Sequence, residues 1–131
     1  MYTKLLMVVS AAFLLLAGIV TAFFPDRVLA THGTAPDNAT LLLIQMMGAL
    51  YLGFAMLNWM ARGVLIGGVY ARPIALGNFL HFSMVAILLW KAAVQFEVVQ
   101  LASSAAVFSV FAIGFGIVLF RPPVPRRPDK S

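Results

Sequence analysis

The chain has 131 residues, 63% of them hydrophobic and only 10% charged, which excludes a small soluble globule because no domain of this size hides that much apolar surface from water. Its net charge of +5 comes from basic residues spread along the chain, a pattern that orients a membrane protein and argues against a nucleic-acid partner. The absence of cysteine excludes disulfides, thiolate metal sites and dithiol redox chemistry, and with them thiol-oxidising membrane enzymes.

Uncharged apolar runs at residues 5–24, 41–61, 73–90 and 98–120 each approach the roughly 20 residues that a bilayer core requires of a helix. The first run follows Lys4 and is too long for the core of a signal peptide, although Val28-Leu29-Ala30 resembles a cleavage site; it is expected to stay as a helix. Between the first two runs, Gly33, Pro36, Asp37, Asn38 and Thr40 supply turn and N-cap chemistry, so residues 25–40 are expected to pack as a short cap. Asn38-Ala39-Thr40 spells a glycosylation sequon, but it abuts the membrane and is read as fortuitous.

Residues 63–72 contain Val64, Leu65, Ile66, Val69 and Tyr70, too apolar to hang in water, and are expected to lie on the membrane interface. Gly67-Gly68 provides a turn there, and Pro73 suits the first position of a helix. The last two helices are expected to meet across residues 91–97, and residues 121–131 read as an extended, basic, proline-rich tail drawn to anionic lipid.

With Lys4 in the cytoplasm, four crossings place Lys4, Arg62, Arg72, Arg121, Arg126, Arg127 and Lys130 inside and only Arg27 and Lys91 outside, as the distribution of basic residues in membrane proteins demands. The expected fold is therefore all-α: a left-handed four-helix transmembrane bundle, up-down-up-down, with both termini cytoplasmic, in a bacterial inner (plasma) membrane. Small residues four apart, Gly18 with Ala22, Ala49 with Gly53, and Ala112 with Gly116, allow close helix approach.

Two polar stripes stand out. Gly48, Tyr51, Ala55, Asn58 and Arg62 share one face of the second helix, and Gly77, Asn78, His81, Met84 and Leu88 share one face of the third, with Arg72 at its start. Along the helix axis Tyr51 lies about 16 Å from Arg62, and His81 about 13 Å from Arg72, so the two stripes reach similar depth. Tyr51, Asn58, Arg62, Arg72, Asn78 and His81 are thus expected to form one cytoplasm-facing cleft, with the arginines taking an anionic headgroup and apolar walls holding a tail. Trp59 and Trp90 are candidate interfacial anchors.

The same side chains also suit plain interhelical hydrogen bonding, and the arginines plain orientation. No catalytic residue is assigned, because no intramembrane acid partners His81 and no nucleophile is evident. Haem ligation lacks a second axial histidine near His81, since His32 belongs to the outer loop. Asp26, His32 and Asp37 are too loosely spaced for a metal motif, and Met46, Met47, Met56 and Met60 suit packing better than copper. Proton-coupled export normally needs a membrane-embedded carboxylate, which these runs lack.

Phe24-Pro25-Asp26-Arg27 closing the first helix, the glycine-bearing Met47-Gly48-Ala49-Leu50-Tyr51-Leu52-Gly53 and the short basic inner turn resemble the DoxX-like small four-helix membrane proteins of bacteria, over most of residues 5–120. The resemblance implies accessory roles in membrane complexes or a link to quinone-coupled sulfur oxidation. It transfers no catalytic residue.

The leading expectation is a non-enzymatic membrane protein that binds a lipid, quinone or other amphiphile, as an accessory subunit with a membrane-protein partner or a second copy of itself. The alternatives are a purely structural or assembly subunit, and a quinone-linked oxidoreductase subunit whose redox centre belongs to a partner. No cofactor other than a quinone is called for.

Overall fold

The computed structural model describes residues 2–30, 33, 35, 37–63 and 71–120. His32, the Gly67-Gly68 turn with the rest of residues 64–70, and the tail at 121–131 lie outside the described residues. The elements are α1 (Tyr2–Phe23), α2 (Pro25–Ala30), α3 (Asn38–Ala61), α4 (Ala71–Phe96) and α5 (Val99–Phe120). Of these, α1, α3, α4 and α5 are long and apolar enough to cross a membrane.

Each boundary has a local cause. α1 stops before Pro25, which has no amide hydrogen to donate and instead takes the first position of α2. Pro25 and Leu29 are buried, so residues 25–30 of the predicted cap form a short helix laid against α1 and α3, while residues 31, 32, 34 and 36 lie outside the described residues. α3 is capped by Asp37, whose backbone is extended (φ −93°, ψ 155°) and whose carboxylate accepts the Thr40 amide hydrogen at 2.9 Å. The Thr40 hydroxyl also donates to that carboxylate, which engages the third residue of the sequon in helix capping.

α4 runs past the predicted end at residue 90 as far as Phe96. Lys91-Ala92-Ala93 continue the helix with good helix formers, and an exposed lysine stem can carry its charge toward the interface. The turn comes at Glu97, the one described non-glycine residue with positive φ (54°), and α5 starts two residues later.

Packing is most extensive between α1 and α3 and between α4 and α5. Gly48 sits so close to α1 that a Cβ there would lie 2.5 Å from the Ala22 amide nitrogen and 2.7 Å from Thr21 Oγ1. A Cβ on Gly18 would meet Leu52 Cγ at 2.8 Å. On the other pair, Gly116 faces the Phe79 ring, and Ala75, Ala86, Ala105 and Ala112 are buried. Met7 and Leu14, Tyr51 and Ala55, Phe82 and Ala86, and Phe108, Phe111 and Phe115 bring all four long helices into one core. Phe82 stacks on Phe111 and Phe115 with centroids 4.9 and 5.6 Å apart.

The outward faces are just as apolar: Leu16 is 67% exposed, Ile87 60% and Val110 68%. Surfaces of this kind are untenable in water and ordinary in lipid, which fits a multi-pass membrane protein.

The buried face of α3, Gly48, Tyr51, Ala55, Asn58 and Ala61, follows the predicted stripe, with Ala61 in place of Arg62. The buried face of α4 does not: it is Ala71, Ala75, Asn78, Phe82, Ala86 and Ala93, while Met84 and Leu88 point outward. Alanines let α5 approach, whereas long apolar side chains lose nothing by facing lipid. Of the small-residue pairs, Gly18 and Ala22 serve the α1–α3 contact, Ala112 is buried with Gly116 against Phe79, and Ala49 and Gly53 are exposed.

Candidate functional site

Asn58 on α3 and Asn78 on α4 are both 0% exposed. Asn58 Nδ2 donates to Asn78 Oδ1 at 2.7 Å, and Asn78 Nδ2 returns a bond of 2.7 Å to Asn58 Oδ1. The second hydrogen on each amide is also used: Asn58 donates to Ser10 Oγ at 3.0 Å, and Asn78 to the Ile74 carbonyl at 3.0 Å. Ser10 in turn donates to the Met7 carbonyl at 3.1 Å. The cluster ties α1, α3 and α4 together and leaves no amide hydrogen for a ligand.

Two turns back along α3 and one turn forward along α4, Tyr51 and His81 meet edge to face with centroids 5.5 Å apart. His81 stacks on Phe54 at 4.5 Å and 19°, and touches the Phe82 ring at 5.3 Å. Its Nε2 is buried and has no hydrogen-bond partner among the described residues. Nor does the Tyr51 hydroxyl bond to any described residue, although the side chain is buried and also packs on Phe108. Among the described residues, His81 Nε2 is the fully buried side-chain polar atom without a partner, and the Tyr51 hydroxyl is likewise unbonded.

A half-open cleft of about 310 Å³ lies beside them, lined by Phe13, Ala17, Tyr51, Ser103, Ser104, Val107 and Phe108. It exists because α1 and α5 touch at Leu6 with Gly114 and at Phe13 with Phe108 and Phe111, while Ala17, one turn on, is too small to close the gap. Ser103 and Ser104 donate their hydroxyl hydrogens to the Gln100 carbonyl at 2.8 and 3.0 Å, which leaves their oxygens with acceptor capacity only. The lining contains no ionisable group other than the Tyr51 phenol. His81 is not part of it, but sits directly behind Tyr51 and Phe108, which are.

The six residues predicted to form one cleft are therefore brought together as two pairs, Asn58 with Asn78 and Tyr51 with His81. Arg62 caps α3, donating from Nη1 to the Trp59 carbonyl at 2.6 Å with its guanidinium 4.0 Å from the Trp59 ring centroid. Arg72 is exposed in the first turn of α4. Neither bonds to the other four.

Trp90 is tied across to α5 by its indole nitrogen, which donates to Ser109 Oγ at 3.1 Å. Hydrogen bonds from Thr40 hold the Asp37 carboxyl below the usual carboxylate range, fixing it as a helix cap. Among the described residues no three His, Asp or Glu side chains gather in a way that would hold a metal ion.

Sequence reasoning missed Ser10, Ser103 and Ser104. Ser10 had a signal, as the one polar residue in residues 5–20, but a lone serine does not announce which helix it faces. Comparison with protein-family models, with curated proteins and with solved structures gives no match.

Proposed function

We propose that the chain is a non-enzymatic protein of a bacterial inner membrane that binds a lipid, quinone or other amphiphile beside Tyr51 and His81. The observation that carries this reading is the uncommitted Tyr51 hydroxyl on the edge of a cleft, with the unpartnered His81 Nε2 behind it. A polar group left unsatisfied in hydrocarbon costs several kcal/mol, roughly, and a ligand oxygen in the cleft relieves that cost for Tyr51. Asn58, Asn78 and Ser10 serve as the frame that holds the helices in register. Arg62 and Arg72 mark the cytoplasmic boundary and attract anionic headgroups there.

In this reading the helices run up-down-up-down with both termini cytoplasmic. Contacts of Ser10 with Asn58 and Gly18 with Leu52, of Asn58 with Asn78 and Tyr51 with His81, and of Phe79 with Gly116 and Trp90 with Ser109 support it, because between each two helices rising residue numbers on one meet falling numbers on the other. The alternation of basic residues supports the orientation. The resemblance to DoxX-like proteins adds an accessory role in a larger complex.

A purely structural subunit is the second reading, favoured by the saturated Asn58–Asn78 cluster, which behaves as interhelical glue. Solvent extraction of the purified protein followed by mass spectrometry separates the two. Amphiphile binding predicts one species enriched over bulk lipid and depleted in Tyr51→Phe; a structural subunit predicts bulk lipid composition in both.

A further inference from the structure

We infer that the cleft between α1, α3 and α5 receives an uncharged, hydroxyl-bearing headgroup of a single-tailed amphiphile, which enters from the bilayer between α1 and α5. This rests on the amphiphile reading above and names the ligand class. Charge decides first: no fixed charge lines the cleft, so an ammonium or carboxylate there would be desolvated without a counter-ion.

Hydrogen-bond polarity decides next. Ser103 and Ser104 have already given their hydrogens to the Gln100 carbonyl, so they offer only acceptor oxygens to a ligand. Satisfying them takes a ligand that donates. The Tyr51 hydroxyl, which bonds to no described residue, donates to a ligand oxygen in return. A hydroxyl group meets both demands, whereas a headgroup bearing only carbonyls meets one.

The route follows from packing. α1 and α5 meet through Leu6 with Gly114 and Phe13 with Phe108, and the cleft opens one turn beyond, at Ala17 and Ser104. A volume of about 310 Å³ suits a small headgroup, leaving the tail in the bilayer between the two helices.

The test uses the full chain in phosphatidylcholine nanodiscs, with labelled monooleoylglycerol, oleate and oleylamine as probes in equilibrium binding. We expect monooleoylglycerol to bind about tenfold more tightly than either charged probe. Ser103→Ala with Ser104→Ala should weaken it about tenfold, as two lost hydrogen bonds imply. Ala17→Leu, which fills the cleft, should abolish saturable binding while helicity stays unchanged. Tighter binding of oleate or oleylamine overturns the neutral headgroup and leaves amphiphile binding intact. Binding that ignores both Ala17→Leu and the serine pair overturns this location. No saturable binding of any probe, together with bulk lipid alone in the purified protein, overturns both readings.

Discussion

Asn58 and Asn78 exchange two side-chain hydrogen bonds of 2.7 Å across the α3–α4 interface, each amide lying at 0% exposure. Replacing one partner strands the other's amide in an apolar core. Asn58→Leu should therefore cost about 1–3 kcal/mol, more than the ~0.6 kcal/mol typical of one interhelical bond in lipid. The double variant Asn58→Leu, Asn78→Leu should be less destabilised than the sum of the singles, because it strands neither amide. Reversible unfolding in mixed micelles measures all four corners of this cycle; strict additivity would contradict the paired geometry.

Gly48 and Gly53 lie on one helix and predict opposite outcomes. Gly48→Ala drives a methyl into the backbone of Ala22, which cannot rotate away, and should cost about 1–3 kcal/mol by forcing α1 from α3. Gly53 has nothing within 4 Å of its would-be Cβ, so Gly53→Ala should stay within about 0.5 kcal/mol of wild type. The same unfolding assay compares them.

His81→Phe tests the orphaned imidazole. Phenylalanine keeps the ring against Phe54 and removes the buried Nε2 that lacks a partner among the described residues. In delipidated protein this variant should be as stable as wild type, or up to about 1 kcal/mol more so. A loss of comparable size would mean that the imidazole is satisfied within the chain.

Asp37 gives a pH dependence with a defined sign. Thr40 holds its folded-state value below the ordinary 3.8, so the carboxylate stabilises the start of α3 fully above that value. The contribution is lost as pH falls through the lowered value. The Thr40 amide proton shift should titrate with a midpoint below 3.8 and show no such titration in Asp37→Asn.

The spans were legible because lipid imposes a length and a lack of charge that any helix must obey. The face of α3 was legible too, since Gly48, Tyr51, Ala55 and Asn58 are the small and polar residues of an otherwise large, apolar helix. The face of α4 was not. Met84 and Leu88 share a spacing with His81, yet apolar periodicity says little about burial where the outside is as oily as the core. Depth alone suggested that Arg62 and Asn58 would act together, but Arg62 turns back on Trp59 at the helix end. The cleft was invisible for a further reason: it depends on Ala17 and Ser104, which adjoin only through the packing of α1 against α5.

The most direct measurement is native mass spectrometry of the full chain released gently from its own membrane, comparing wild type with Tyr51→Phe, His81→Phe and checking helicity. The wild type should carry a discrete bound small molecule that the double variant loses while remaining folded. Bulk lipid alone in both proteins would contradict it and leave Tyr51 and His81 as packing residues.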